Sequence, residues 1–280
     1  LSLTPGSTVE FSGRILDAND EATDGEVEIA FDGDSYTEDV SPDFSFSVFV
    51  PSAITTGEHP LLLSFSDEDG NTYDEAFDVM VLPVASSLDL IIGEKRYMPP
   101  RVLKATIRLL DQADDPMDGR VSVSVLWDGE EIYSDVSSDA FLYSLNTSLV
   151  PGEYTLYGSF EGLSTEETFI VEEVEEIDTS FSSGKVTFSN TGNVLYGGTE
   201  EVFLFGREGN YTLSKELSLE PGESDYLDLT GYVPSDIYTI SLPSGEILRN
   251  VPLEDNRGLF SKVGSFFSGP TGYVVAANGG

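Results

Sequence analysis

The sequence predicts an all-β protein built from tandem β-sandwiches. Apolar residues recur at every second position in many short segments, whereas helical periodicity is almost absent. Turn signals separate these segments at intervals of about ten residues, which is typical of sandwich folds. In addition, one pattern of motifs occurs twice along the chain.

The alternating segments predict the individual strands. Residues 26–31, 44–50 and 120–125 alternate apolar residues with polar or small ones, and residues 8–16 begin in the same way. A period of two places one residue type on each face of a strand, so these segments are expected to form half-buried antiparallel sheets. Turn dipeptides lie between them: Asp24-Gly25, Asp32-Gly33, Asp128-Gly129, Pro151-Gly152 and Pro221-Gly222.

The internal repeat predicts the domain organisation. Gly25, Gly33 and Gly57 recur as Gly119, Gly129 and Gly152, at offsets of 94, 96 and 95 positions. This spacing is the size of one immunoglobulin-like domain. We therefore expect immunoglobulin-like domains at residues 1–84 and 85–173, a third one of different pattern at 174–254, and an apolar C-terminal tail at 255–280. The acidic linker at residues 172–177 is expected to be stiff and solvated.

The composition excludes several classes of function. The 280 residues include no Cys, one His (His59) and one Trp (Trp127). Without Cys there is no disulfide framework, no thiol nucleophile and no Cys-ligated zinc site. A Ser-His-Asp triad would depend on His59 alone. Pairs of carboxylates are expected by chance among 51 acidic residues, and no Trp-rich cleft accompanies them, so we predict that the chain is not an enzyme.

The net charge of −38, from 13 Lys and Arg against 51 Asp and Glu, indicates the working conditions. Such a surface repels phosphates and anionic lipids, so neither nucleic acid nor a membrane surface is an expected partner. It also destabilises the compact state, and molar salt removes most of that cost by shortening the Debye length to about 3 Å. We expect a salt-adapted, halophilic protein. The alternative is an ordinary acidic secreted protein that charge keeps soluble.

Other features favour an extracellular location. The first residue is Leu1 rather than Met, so the sequence is either a processed chain or a fragment, and we expect a secreted chain with a processed N-terminus. Asn146 and Asn210 stand in N-glycosylation sequons. No uninterrupted apolar run is long enough to predict a membrane span.

The motifs resemble those of cell-surface proteins. Gly13-Arg-Ile-Leu-Asp, Asp24-Gly-Glu-Val-Glu-Ile and Gly57-Glu-His, with their second copies, are similar to immunoglobulin-like modules strung together in bacterial and archaeal surface proteins. The third unit resembles adhesion-related modules of archaeal envelope proteins, in Ser189-Asn-Thr-Gly-Asn and Leu219-Glu-Pro-Gly-Glu. The resemblance implies a non-enzymatic role in an envelope or appendage.

The C-terminal tail is the candidate assembly segment. It has no acidic residue after Asp255, and it resembles the stretch that precedes a membrane anchor in archaeal surface proteins. Because it is too short to form a core, we expect it to dock on a neighbouring copy by adding a strand to a sheet edge, on its own third unit, or on another protein. The predicted interface consists of Leu259, Phe260, Val263, Phe266, Phe267, Tyr273, Val274 and Val275.

Acidic loops are candidate cation sites. Their carboxylate and amide oxygens suit Ca²⁺, although none has the EF-hand spacing and the alternative is ordinary acidic turns. The candidate ligands are Asp17, Asn19, Asp20, Asp24, Asp67, Asp69, Asn71, Asp111 and Asp115. No other cofactor is predicted.

Together these observations predict a structural subunit of an extracellular assembly, either a filament, a pilus-like appendage or a surface layer (S-layer). It would polymerise through its terminal segments, with copies of itself as partners. The alternative is a cell-surface adhesin or stalk that binds a glycan or a partner protein. A viral or phage-like spike module is a third hypothesis.

Overall fold

A computed structural model describes residues 1–17, 19–67, 70–254 and 274–278. Almost all regular structure in these residues is β-strand, and one short 3-10 turn occurs at Leu229–Gly231. The strands form three successive sets, which we call the first, second and third sandwich.

The first sandwich pairs a five-stranded sheet, in the order β1-β7-β6-β3-β4, with a two-stranded sheet of β2 and β5. Strand β1 is parallel to β7, and the neighbours β7-β6-β3-β4 are antiparallel. The strands are β1 (Ser2–Leu3), β2 (Thr8–Arg14), β3 (Gly25–Phe31), β4 (Asp34–Val40), β5 (Asp43–Phe49), β6 (Gly57–Asp67) and β7 (Thr72–Val81).

The second sandwich has sheets in the orders β13-β10-β8 and β12-β11-β14-β15-β9. Strand β9 is parallel to β15, as β1 is to β7. The strands are β8 (Ala85–Ile92), β9 (Arg96–Tyr97), β10 (Arg101–Asp111), β11 (Val121–Trp127), β12 (Glu130–Ser137), β13 (Ala140–Leu145), β14 (Gly152–Phe160) and β15 (Leu163–Val171).

The third sandwich has sheets in the orders β16-β17-β20 and β22-β21-β18-β19-β23. The strands are β16 (Ile177–Ser182), β17 (Lys185–Asn190), β18 (Tyr196–Phe205), β19 (Asn210–Leu219), β20 (Ser224–Asp228), β21 (Asp236–Ser241), β22 (Ile247–Leu253) and β23 (Val274–Asn278).

These strand orders are immunoglobulin-like, which confirms the predicted fold class. In immunoglobulin lettering, the second sandwich has sheets E-B-A and C′-C-F-G-A′, and the first has E-B and C′-C-F-G-A′. The cause is the alternation itself. In β3, Val27 and Ile29 are buried in the core while Glu26 and Glu28 face solvent, and the strand therefore has one apolar face against the opposite sheet.

Contacts between Cα atoms divide the chain into two compact units. One contains residues 1–93, 104–142 and 155–168, and the other contains 94–103, 143–154 and 169–280. The predicted boundaries at residues 84, 173 and 254 stay a prediction.

Candidate functional site

Three aspartates close turns of one common geometry. The Oδ1 atom of Asp17 accepts from the backbone N–H groups two and four positions later, both at 2.8 Å. The Oδ1 atom of Asp111 accepts from the N–H groups two and four positions later, at 2.9 and 3.0 Å. The Oδ1 atom of Asp67 accepts from the N–H group four positions later, at 2.8 Å. The residue three positions after the aspartate has a left-handed backbone conformation in the Asp17 and Asp111 turns, where it is Asp20 (φ 65°) and Asp114 (φ 63°). Backbone hydrogen bonds, first from the N–H four positions later, lower the pKa of Asp17.

These turns contain most of the predicted cation ligands. Asn19 belongs to the Asp17 turn, Asn71 to the Asp67 turn and Asp115 to the Asp111 turn. Asp24 lies outside these turns and accepts from the Ser41 hydroxyl at 2.7 Å. Asp69 lies outside the described residues. Among the residues that the structure describes, no three His, Cys, Asp or Glu side chains are grouped so that they could hold a metal ion. The cation sites stay a prediction.

The Asp111 turn also joins the second sandwich to the first. Asp111 is only 2 % exposed, and its Oδ2 accepts from the Thr56 hydroxyl at 2.6 Å. Gln112 donates to the Ile54 carbonyl at 2.9 Å and to Thr56 at 3.1 Å, and accepts from the Val84 N–H at 2.8 Å. Hydrogen bonds, first from Thr56 and then from the turn, lower the pKa of Asp111, although burial opposes them. We call this set the Asp111 junction.

A second network holds the acidic linker before the third sandwich. The Oδ1 of Asn193 accepts from the Val174 N–H at 2.6 Å, its Nδ2 donates to the Glu172 carbonyl at 3.0 Å, and its own N–H donates to the Val174 carbonyl at 2.9 Å. Gly192 donates to the Glu176 carbonyl at 3.3 Å. The linker backbone is therefore hydrogen-bonded to the third sandwich, in addition to carrying the predicted charge. We call this set the Asn193 junction.

His59 occupies a structural corner. Tyr154 and Tyr238 each stand near the start of a strand and donate the hydroxyl to the carbonyl four residues earlier, at 2.7 and 2.9 Å. This is the tyrosine corner of immunoglobulin-like domains. His59 takes the same place in the first sandwich, with Nε2 2.8 Å from the Thr55 carbonyl. Because a carbonyl only accepts, Nε2 is the donor in this bond.

We expect His59→Tyr to keep the unfolding free energy of the full chain or raise it slightly, because the tyrosine hydroxyl can reach the same carbonyl. His59→Ala should lower it by about 1 kcal/mol, since one hydrogen bond and the ring packing are lost. Calorimetry of the three chains measures the difference. Equal destabilisation by both substitutions would contradict a corner role.

An open groove runs along β2 in the first sandwich. Two cavities, of about 290 and 880 Å³, both border on Phe44 and Leu63 and lie beside β2. Most of the lining is apolar or aromatic. The first-sandwich groove is defined by Phe11, Phe44, Leu63, Phe65, Tyr73 and Phe77.

The groove lies beside an edge of β2 that has no strand partner among the described residues. In the second sandwich β10 has neighbours on both sides, β13 and β8. In the part of the chain that the structure describes, the corresponding strand β2 pairs with β5 only. Strand β8 buries Leu88 and Leu90 in the second sandwich.

The rim of the groove is acidic. Asp17, Asp67, Glu75 and Asp78 are among the lining residues. Arg14 also lines it, but its guanidinium forms an ion pair with Asp43 at 2.7 Å. The rim therefore favours a ligand that is neutral or positive.

The described end of the tail forms β23, which pairs antiparallel with β19 of the same chain. Val274 lies opposite Ser214 and Val275 opposite Leu213. The other predicted interface residues, from Leu259 to Tyr273, lie outside the described residues. Both sequon asparagines, Asn146 and Asn210, are exposed.

Sequence reasoning missed Gln112, the contacts that Asn193 makes to the linker, and one buried cation. Lys215 is 4 % exposed, its Nζ lies 2.5 Å from the Asp225 carboxylate, and it donates to the Tyr226 carbonyl at 2.6 Å. The sequence did carry a signal, because Lys215 lies two residues from the buried Leu213 and from the buried Leu217 in β19 and therefore on the same inner face. Gln112 gave no comparable signal.

The described residues include no helix that is long and apolar enough to cross a membrane. No protein-family model matches the chain, and no curated protein is a significant match.

Several solved structures are similar in fold. A tetra-tandem repeat from the extending region of a large adhesion protein shares 16 % identity over 90 % of this chain and 72 % of its own, with a TM-score of 0.34. A structure of a 1.5-MDa bacterial ice-binding adhesin shares 13 % sequence identity with the chain. The match covers 88 % of this chain and 90 % of the other, also with a TM-score of 0.34. Fibronectin(III)-like modules of Clostridium thermocellum CbhA share 16 % sequence identity with the chain. The match covers 61 % of this chain and 87 % of the other, with a TM-score of 0.24.

Proposed function

We propose that the chain is an extracellular structural protein of a cell surface, in which immunoglobulin-like sandwiches joined in series form a stalk. The observation that supports this best is the pair of side-chain networks at the connections. At the Asp111 junction, buried Asp111 accepts from the Thr56 hydroxyl and half-buried Gln112 donates to the Ile54 carbonyl. At the Asn193 junction, buried Asn193 bonds to the backbone of the linker. Buried hydrogen bonds of this kind oppose hinge motion, because breaking them leaves polar groups unsatisfied.

The charge supports a salt-rich setting. A net charge of −38 keeps finished molecules apart and is tolerated best where salt screens it. We therefore extend the proposal to a salt-adapted, halophilic surface protein of archaeal type. Within it, the chain is a subunit of a filament, a pilus-like appendage or a surface layer, and its terminal segments make the contacts. In the structure β23 pairs with β19 of the same chain, so assembly through this segment requires β23 to exchange onto a sheet edge of another copy.

A second candidate function is an adhesin. The first-sandwich groove favours it, since aromatic side chains beside open cavities can bind a glycan ring or an apolar segment of a partner protein. An adhesin of this kind would be monomeric and would bind its ligand through the first sandwich.

Proteolysis of the acidic linker tests the stalk. Residues 172–176 contain four glutamates, so a glutamyl endopeptidase would cut a mobile linker readily. We expect the native chain to resist cleavage there and Asn193→Ala to be cut, because alanine removes the two side-chain hydrogen bonds by which Asn193 holds the linker.

Asn210→Ala is the matched control, because Asn210 is an exposed asparagine of the same sandwich. It should leave the linker resistant to cleavage. Rapid cleavage of the native chain at this linker would contradict a stalk with fixed connections.

A further inference from the structure

We propose that the chain binds a second copy of itself through two sheet faces of opposite charge. A basic face on the smaller sheet of the second sandwich of one copy contacts an acidic face on the larger sheet of the first sandwich of the other. This inference rests on the proposed self-association and goes beyond it, since neither face includes a terminal segment.

The basic face stands out in an acidic chain. Residues 95–110 contain five basic residues and no acidic one, although the net charge of the whole chain is −38. Within this segment, Lys104, Thr106 and Arg108 are exposed and alternate with buried residues of β10, so they share the outer side of the sheet. Ile91 of β8 lies directly opposite Thr106 and is 45 % exposed. These four residues define the basic face.

The acidic face has the same layout with the opposite charge. In β7, Asp74, Ala76 and Asp78 are exposed. They share the outer side of the sheet, because the next residue, Val79, is buried in the core. Leu62 of β6 lies directly opposite Ala76 and is 48 % exposed. Each face therefore has two like charges four residues apart on one strand, and an exposed aliphatic side chain opposite the residue between them.

The equal spacing allows both charges to pair at once. Four residues of a strand span about 13 Å, so Lys104 and Arg108 can both come opposite the two aspartates in one arrangement. Stacked sheets lie about 10 Å apart, and long basic side chains on one sheet can reach carboxylates on the other across that gap. In one of the two relative strand directions Ile91 also lies against Leu62, which removes apolar surface from water.

Charge selects these two faces among the surfaces of the chain. Most surfaces of two copies repel each other, because 51 acidic residues face only 13 basic ones, whereas the basic face attracts an acidic one. Asp89 lies opposite Arg108 and offsets part of its charge, so Lys104 contributes more of the attraction. Molar salt screens the long-range repulsion between copies more than it screens ion pairs between packed faces. The contact should therefore form in molar salt.

Cross-linking between separate chains tests the contact, because the chain has no native cysteine. A tagged Ile91→Cys chain is mixed with an untagged Leu62→Cys chain in molar salt and treated with a short bis-maleimide. We expect a cross-linked heterodimer several times more abundant than when Val136→Cys replaces Ile91→Cys. Val136 is a matched control, since it is also 45 % exposed but lies in β12, on the other sheet of the same sandwich.

Charge reversal distinguishes matched faces from general repulsion. Reversing the basic face of the tagged chain, by Lys104→Glu with Arg108→Glu, should remove the heterodimer. Reversing the acidic face of the untagged chain, by Asp74→Lys with Asp78→Lys, should also remove it. The second reversal changes the net charge of that chain by +4, from −38 to −34, so general repulsion alone predicts more heterodimer. Mixing the two reversed chains pairs opposite charges again and should restore the heterodimer, which also shows that both chains are folded.

The outcomes separate this contact from the proposed assembly. If the heterodimer does not exceed its control, survives either single reversal, or is not restored when the reversed chains are mixed, the two faces are not the contact. Sedimentation of the native chain as an oligomer would in that case still support assembly through other segments. If the native chain sediments as a monomer in low and molar salt and the heterodimer does not exceed its control, this contact and the assembly are both overturned.

Discussion

Asp111→Ala should lower the unfolding free energy of the second sandwich by about 2 kcal/mol, from the loss of a turn cap and of a charge-assisted hydrogen bond. The carboxylate accepts two backbone N–H groups within its own turn and the Thr56 hydroxyl from the preceding sandwich. Alanine removes all three bonds at a position that is almost fully buried. Fluorescence of Trp127 follows this unfolding, because the only tryptophan lies in β11 of the second sandwich.

The effect should depend on pH in a defined direction. The pKa of Asp111 is lowered in the folded chain, so its contribution to stability is complete above about pH 4, the ordinary range of the group, and is lost as the pH falls toward the lowered value. Asp111→Asn keeps an oxygen for the turn and loses the charge. The stability difference between the native chain and Asp111→Asn should therefore be largest near neutral pH and shrink below about pH 4.

Thr56→Val is the control that separates the turn from the junction. It removes only the hydroxyl that reaches Asp111 and leaves both backbone bonds of the turn in place. We expect a loss smaller than that of Asp111→Ala. A pH-independent difference between Asp111 and its asparagine variant would show that the charge of this group is not what the junction uses.

The sequence predicted the strands well because their cause is local. Alternation in β3 or β11 is visible in seven residues, and a buried face follows from it wherever the sheet lies. The turn aspartates show the limit of the same reasoning. An oxygen-rich loop such as that of Asp17 has the same composition whether its oxygens face a cation or its own backbone N–H groups. In the structure these oxygens accept hydrogen bonds from the backbone.

The junctions and the groove could not be predicted because their cause is not local. Asn193 was recognised within a motif, but its partners lie about twenty residues earlier in the linker. The groove depends on which strands flank β2, and alternation in β2 is compatible with one neighbour or with two. By contrast, buried Lys215 had a usable signal, since its position in the alternation of β19 placed it on the inner face despite its charge.

Gly192→Ala should disrupt the Asn193 junction and cost about 2–3 kcal/mol, the range of an overpacked site. Gly192 is buried, and a Cβ atom there would lie 2.0 Å from the Val174 carbonyl oxygen and 2.9 Å from the Glu176 nitrogen. Both contacts are with backbone, so no side-chain rotation relieves them. The linker must move away, which breaks the bonds of Val174 to Asn193.

Gly197→Ala is the matched control, because Gly197 is a glycine of the same sandwich with open space where the Cβ atom would be. It lies in β18, where alanine loses less backbone freedom on folding than glycine, so the control should be neutral or slightly stabilising. Calorimetry measures the unfolding of both chains, and glutamyl endopeptidase measures access to the linker. We expect the Gly192→Ala linker to be cut and the Gly197→Ala linker to resist. If Gly192→Ala keeps both its stability and a resistant linker, the linker does not pass over this glycine as the structure places it, and the fixed connection loses its physical basis.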